Sequence, residues 1–246
     1  MSEILGHLTH IRRFPVKSMA GEIVPEVWVS YSGLAGDRVY AFRDQAKQNN
    51  FPWLTARQMP NLLQYQPVWK QVLQSEIQYP QPEAFELTIT TPEGVTYSIE
   101  DDALLEHLQD CTSRPLVLRF SEAGMQDSRP ISLIGQQTIK AFEQEMNTPM
   151  DERRFRMNFQ VDWAQSVPFF EDTLIGKKIQ IGDTLVIEIN KKDHRCIMIN
   201  LDPDDAKGNP LIFRTLAQNH EACLGVYAVV VKEGTVKEND SIVGLW

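Results

Sequence analysis

The sequence predicts a mainly β protein of the α+β kind, a barrel or sandwich with a few helices. Three observations predict it. Short extended-looking segments recur along the chain. Tight-turn residues separate pairs of them, as in Thr91-Pro92-Glu93-Gly94 and Gly182-Asp183. Only three stretches carry the apolar spacing of a helix, and many short strands joined by turns favour barrels or sandwiches.

In order, Ile4 to Phe14 and Glu22 to Tyr31 read as extended, with a glycine between them. Pro67 to Glu83, rich in Gln and Pro, reads as a loop or an irregular edge. Phe85 to Thr90 and Val95 to Ile99 flank the first turn and form a hairpin. Asp102 to Cys111 is a helix capped by Asp101, with Leu104, Leu105 and Leu108 on its apolar face. A second helix is expected over Leu133 to Met146, starting at Ser132 and turning Ile139 and Phe142 inward. Lys178 to Ile181 and Leu185 to Ile189 make another hairpin. Leu211 to Asn219 is a third helix, with Pro210 suited to its first position. Tyr227 to Val231, Glu233-Gly234 and a strand ending near Leu245 predict a closing meander. A boundary near residue 100 divides the chain into 1–100 and 101–246.

The 246 residues are 42 % hydrophobic and 23 % charged, with a net charge of −9. An acidic chain is a poor general nucleic-acid binder, because that affinity rests on phosphate neutralisation. No apolar run has membrane-spanning length, and Met1 to Gly6 lack a signal peptide's basic start and apolar stretch. A cytoplasmic protein without membrane or nucleic-acid partners is therefore expected. Cys111, Cys196 and Cys223 are odd in number and widely spaced, which disfavours a disulfide framework, structural zinc and a protein-held iron–sulfur cluster. A single special thiolate is allowed. No Gly-rich dinucleotide fingerprint, P-loop or GxSxG element is found.

The strongest motif is Arg195-Cys196, directly after the strand Leu185 to Asn190 and followed by Leu201-Asp202-Pro203-Asp204-Asp205-Ala206. Thiolate is a soft ligand for sulfur-binding metals, and His194 and Arg195 beside it would favour the thiolate. By itself a lone cysteine is more often a small buried core residue, and Asp-Pro-Asp is simply a turn. Lys17 and Arg38 read equally as surface charges. Arg154, Arg156 and Asn158, spaced by two, would share one strand face that meets either solvent or a site. His7 and His10 read as ordinary strand residues, His107 and His220 have no evident carboxylate or cysteine partner, and Glu143 and Glu145 read as a solvated face.

Six ordered elements resemble the MOSC family (molybdenum cofactor sulfurase C-terminal) in its amidoxime-reducing branch. They are Arg195-Cys196 with Asp202-Pro203-Asp204, Phe14-Pro15-Val16-Lys17-Ser18, Gly33-Leu34-Ala35-Gly36-Asp37-Arg38, Leu54-Thr55-Ala56-Arg57-Gln58, Phe155-Arg156-Met157-Asn158 and Leu224-Gly225-Val226-Tyr227. The resemblance covers nearly the whole chain. It implies an N-terminal β-barrel-like domain packed on a MOSC β-barrel, and molybdenum held by a pterin dithiolene and one cysteine. On matching positions Cys196 is the metal ligand and catalytic centre. Lys17, Ser18 and Arg38 contact the cofactor phosphate. Arg156, Asn158 and Tyr227 hold the pterin and its surroundings. Arg57, in its matched element, either lines the pocket or serves the fold; it and His194, chosen for its place beside the thiolate, are added as cofactor-binding candidates. The implied activity is reduction of N-oxygenated compounds (hydroxylamines, amidoximes, N-hydroxylated bases) by oxygen-atom transfer. A non-enzymatic alternative is a cofactor or sulfur carrier using a Cys196 persulfide. Two departures are visible: Asp193 stands where relatives often carry a second cysteine, and Met157 replaces a proline. The chain ends at Trp246 without the ferredoxin-like domain of some relatives, so a separate electron-donor protein is expected.

Overall fold

The computed structural model describes residues 3–71, 73, 75, 78 and 82–246. The predicted irregular stretch Pro67 to Glu83 lies partly outside the described residues. In chain order the strands are β1 (Ile4–Arg13), β2 (Glu22–Ile23), β3 (Glu26–Ser30), β4 (Gly33–Leu34), β5 (Tyr40–Asp44), β6 (Gln66–Trp69), β7 (Leu87–Thr90) and β8 (Thr96–Ser98). Helix α1 (Asp102–Thr112) and β9 (Leu116–Phe120) follow, then β10 (Ile131–Gly135), α2 (Gln136–Met146) and β11 (Phe159–Trp163). The chain closes with β12 (Lys178–Ile181), β13 (Leu185–His194), α3 (Pro210–Asn219), β14 (Cys223–Lys232), β15 (Gly234–Lys237) and β16 (Ser241–Gly244).

Strands β11, β10, β14, β13, β12, β16 and β1 pair in that order, and β1 pairs back onto β11. The result is a closed seven-stranded barrel, which leaves the sheet no exposed edge there. Alternation fills it: Leu185, Ile187 and Ile189 of β13 are buried while Val186 and Glu188 are half-buried. Leu8, Ile11, Leu133, Phe159, Val161, Val226, Ala228 and Ile242 join them in one apolar core. A second core gathers Val16, Val39, Phe42, Leu54, Leu62, Tyr65, Leu87, Ile89, Leu104, Leu108 and Leu116, so α1 packs against the strands β5 to β9. Among the described residues no helix is long and apolar enough to cross a membrane.

The mainly β class, both hairpins and the outer two helices are as expected. Asp101 caps α1 by accepting from Ala103 N, and Pro210 opens α3 behind the Asn209 cap. Three readings are corrected. The second helix starts at Gln136, because Ile131–Gly135 is a buried barrel strand; a continuous apolar run fits either element. The final meander does not pair with itself: β15 joins β3, and β16 lies between β1 and β12. Strand β13 continues to His194, four residues past its expected end.

Glu171 is fully buried under the barrel, accepting from Gly135 N at 3.0 Å and Trp163 Nε1 at 3.1 Å. Burial raises its pKa above 4.5 despite those donors. Below pH 4.5 the group is neutral folded and unfolded alike, so it costs nothing. As pH climbs from 4.5 through the raised value, only the unfolded state ionises freely, and stability from this group is lost. Urea unfolding of wild type and Glu171→Gln is expected to give a stability difference that moves toward the variant as pH rises from 4.5 to 7. A difference independent of pH would contradict the assignment.

Candidate functional site

One element builds the cationic corner of the site. Residues Phe14 to Ser18 leave β1 and run beside Asp37 to Tyr40. Phe14 N donates to Asp37 Oδ1 at 2.8 Å, Arg38 N to the Phe14 carbonyl at 2.6 Å and Lys17 N to the Tyr40 carbonyl at 2.8 Å. This lacing holds Lys17 and Ser18 in the interior, 5 % and 4 % exposed. Lys17 Nζ donates to the Met125 carbonyl at 2.7 Å and pairs with Asp127. Burial lowers the Lys17 pKa, Asp127 partly restores it, and Arg38 and Arg156 lower it further.

Arg38 pairs with the buried Asp37 and donates through Nη2 to the Arg156 carbonyl at 3.2 Å. The Phe14 ring carries the Arg38 guanidinium 4.7 Å from its centroid and the Arg156 guanidinium at 4.2 Å. Ser18, Arg38 and Arg156 all hold positive φ, at 66°, 54° and 50°. Each costs strain for a residue with a Cβ, and such residues gather where the surrounding structure over-determines them, notably at functional sites. Arg156 caps a one-turn helix, 152–155, so the expected strand face of Arg154, Arg156 and Asn158 does not exist; β11 starts only at Phe159.

Asn158 is spent on the frame. Its Oδ1 accepts from Ser132 Oγ at 2.9 Å and Ser132 N at 3.2 Å, and its Nδ2 donates to the Arg12 carbonyl at 3.2 Å. Gly225 stands in left-handed backbone at φ 75°, and a Cβ there would lie 2.7 Å from the Leu133 carbonyl, so only glycine lets β14 approach β10 beside Tyr227.

Strand β13 loses regular register near its end, between Ile189 and Lys191 and between Lys192 and His194. Such bulges re-aim side chains. Asp193 becomes buried, His194 exposed, and Cys196 follows as an exposed free thiol at the start of the turn 197–200. Arg195 pairs with Asp193 and donates to the Phe155 carbonyl. Burial raises the Asp193 pKa against the pull of Arg195 and a hydrogen bond with Tyr227; burial, then Asp193, raises that of Tyr227. The Asp-Pro-Asp element is an anchor: Asp202 holds Arg154 at 2.5 Å, and Asp204 holds Arg153 at 2.7 Å.

These pieces enclose a cavity of about 100 Å³. Its wall brings together Lys17, Ser18, Arg38, Arg156, Asn158, His194, Cys196 and Tyr227, eight of the nine residues expected from the sequence. The ninth, Arg57, lines an adjoining vestibule of about 400 Å³ that shares Asp127, Cys196 and Met198 with the inner cavity. Sequence reasoning missed Asp127, Arg129 and Ser132 in the inner wall. Lys17 and Asp127 are 110 positions apart, so no spacing could announce them.

The wall carries six cations, Lys17, Arg38, Arg129, Arg154, Arg156 and Arg195, against two carboxylates, Asp127 and Asp193. That is a concentrated positive site in a chain of charge −9. Arg156 Nη2 and Arg195 Nε are buried without a hydrogen-bond partner among the described residues. Burial, then Arg38, pulls the Arg156 pKa to about 9, which still leaves the guanidinium charged at neutral pH. Unpartnered buried donors on cations are costly, and an anion with several acceptor oxygens would relieve them. The donor set thus fits a phosphate-bearing cofactor, with one thiol beside it for a soft metal.

Arg38→Ala is expected to destabilise the fold itself, by roughly 3–5 kcal/mol, because it strands the buried Asp37 carboxylate. Chemical unfolding reads this directly, and an unchanged midpoint would contradict the pairing. The readings of His107 and His220 are also corrected. His107 Nε2 lies 2.8 Å from Tyr65 Oη and 3.9 Å from Cys111 Sγ, and His220 Nε2 lies 2.6 Å from Glu145 Oε2. Glu145 is therefore a partner rather than a bare solvated charge.

Two family models match the chain. The family model of the MOSC domain matches residues 121–243, and that of the MOSC N-terminal beta barrel domain matches residues 5–112. Among curated proteins nothing matches. The YUAD protein from Bacillus subtilis is similar over 100 % of both chains, with 13 % identity and a TM-score of 0.53, which shows the fold alone. YiiM from Geobacillus stearothermophilus, at 13 % identity and a TM-score of 0.36, aligns over 48 % of this chain and 54 % of its own.

Proposed function

The chain belongs to the MOSC family, and from that premise we propose that it is a molybdenum-cofactor enzyme that reduces N-oxygenated compounds. The observation that carries the reading is the exposed Cys196 thiol beside a cationic cavity with two unpartnered buried guanidinium donors. Cys196 would hold the metal. Lys17, Ser18 and Arg38 would bind the phosphate, with Arg156 and Arg195 supplying the free donors. His194 and Tyr227 would border the pterin, and Asn158 would act through the frame by fixing Arg156 next to β10. When bound, the cofactor would supply a centre that takes up the oxygen atom while giving two electrons to the substrate, chemistry that no side chain here provides.

The net reaction consumes an N–OH compound, two electrons and two protons, and yields the N–H compound and water. The chain's own part is to bind and orient. The inner cavity buries the charged anchors, while the vestibule leaves Cys196 open to a substrate. Electrons are expected from a separate donor protein.

Protein from a molybdate-fed, cofactor-competent host is expected to reduce benzamidoxime to benzamidine with chemically reduced methyl viologen, and to show no turnover with NADH alone. Benzamidoxime left unreduced by molybdenum-loaded protein would overturn the reductase reading. Robust NADH-driven turnover by homogeneous protein would overturn the need for a partner.

A further inference from the structure

The vestibule wall is unlike the inner cavity, because its acceptors are used up internally and its donors are left over. Asn49 Oδ1 accepts from Phe51 N at 3.0 Å. Gln58 Oε1 accepts from Thr55 N at 3.0 Å and Thr55 Oγ1 at 2.8 Å. Since backbone N–H groups fix both amide orientations, each amide's NH2 is the end without a partner among the described residues. Among the described residues the Arg57 guanidinium has one hydrogen bond, to the Thr55 hydroxyl at 3.4 Å, and it stacks 4.8 Å from the Phe51 ring centroid. Lys47 spends one N–H on the Trp53 carbonyl at 2.9 Å. Neither cation has a carboxylate in salt-bridge contact among the described residues. The carboxylate of the wall, Asp127, is taken by Lys17, and nearby Asp44 is held by Arg114 at 2.5 Å.

A concave surface of about 400 Å³ that offers two cations and two amide donors, and opens on Cys196, complements an acceptor-rich anion. We propose that the vestibule is a subsite for an anionic group, a carboxylate or phosphate, carried by the substrate at a distance from its N–OH end. The inference rests on the reductase reading for the reacting end alone; the anion subsite stands on Lys47, Asn49, Arg57 and Gln58.

The test compares benzamidoxime with 4-carboxybenzamidoxime on the holoenzyme, using reduced methyl viologen. Wild type is expected to prefer the carboxylated compound about tenfold in kcat/KM, chiefly through KM, which corresponds to about 1.4 kcal/mol. The preference is expected to shrink as salt rises from 50 to 500 mM, because these cations are partly solvated. Lys47→Gln should bring the ratio toward one, and Lys47→Glu should push it below one. Calorimetry of 4-carboxybenzamidoxime on oxidised holoenzyme, with no reductant and hence no turnover, reads the same subsite independently. Binding that is tenfold tighter than for benzamidoxime, and weakened in Lys47→Gln, supports the subsite even if neither compound is reduced, an outcome that would sink only the reductase reading. Equal kcat/KM and equal affinity for the two compounds in wild type would overturn the subsite and leave the reductase reading standing.

Discussion

Cys196→Ala is expected to remove bound molybdenum and abolish amidoxime reduction, whereas Cys111→Ala and Cys223→Ala retain both. The three thiols differ by position. Cys196 opens the turn after β13 and borders both the inner cavity and the vestibule. Cys111 sits at the end of α1 beside His107, and Cys223 is half-buried on β14 with its pKa raised by burial. Loss of a metal ligand should exceed the roughly 10–100-fold penalty seen when only a ligand's outer partner is lost. A Cys196→Ala protein with wild-type molybdenum content and activity would end the assignment.

The second large effect concerns the phosphate corner. Lys17→Ala is expected to weaken cofactor affinity roughly thirty-fold, the loss of about 2 kcal/mol for one charge-assisted hydrogen bond, and so to lower cofactor occupancy. The fold should survive, because the abandoned partner, Asp127, is 57 % exposed and can be hydrated. That separates this variant from Arg38→Ala, where the abandoned Asp37 is buried. Occupancy is read by pterin fluorescence after oxidation, with circular dichroism as the check on folding. Normal occupancy in a folded Lys17→Ala protein would place the phosphate elsewhere.

Much of the fold was legible because its signals are local. The hairpin of β7 and β8 is written in Thr91-Pro92-Glu93-Gly94, and α1 in Asp101 and its leucines. Long-range pairing was not legible. Nothing in Gly234–Lys237 names Glu26–Ser30 as its partner, since both are short segments that would fit several edges. Seven of the eight inner-cavity residues were legible only as ordered motif matches, and His194 as the neighbour of the thiol. Their geometry was not: the spacing of Arg154, Arg156 and Asn158 imitates a strand, but Arg156 turns left-handed and Asn158 is consumed by Ser132 and Arg12. Asp127 and Arg129 fell in a loop without a motif, and the long-range pairing of β5 with β9, continued by Met125 N donating to the Arg38 carbonyl at 2.8 Å, brings that loop to Lys17 and Arg38.

The central claim is that this cavity holds molybdenum cofactor, and metal content tests it most directly. Protein made in a molybdate-fed, cofactor-competent host should carry close to one molybdenum per chain by mass spectrometry of the metal, and the same chain from a cofactor-deficient host should carry none. Equal molybdenum in the two preparations, or none in either, would contradict the account.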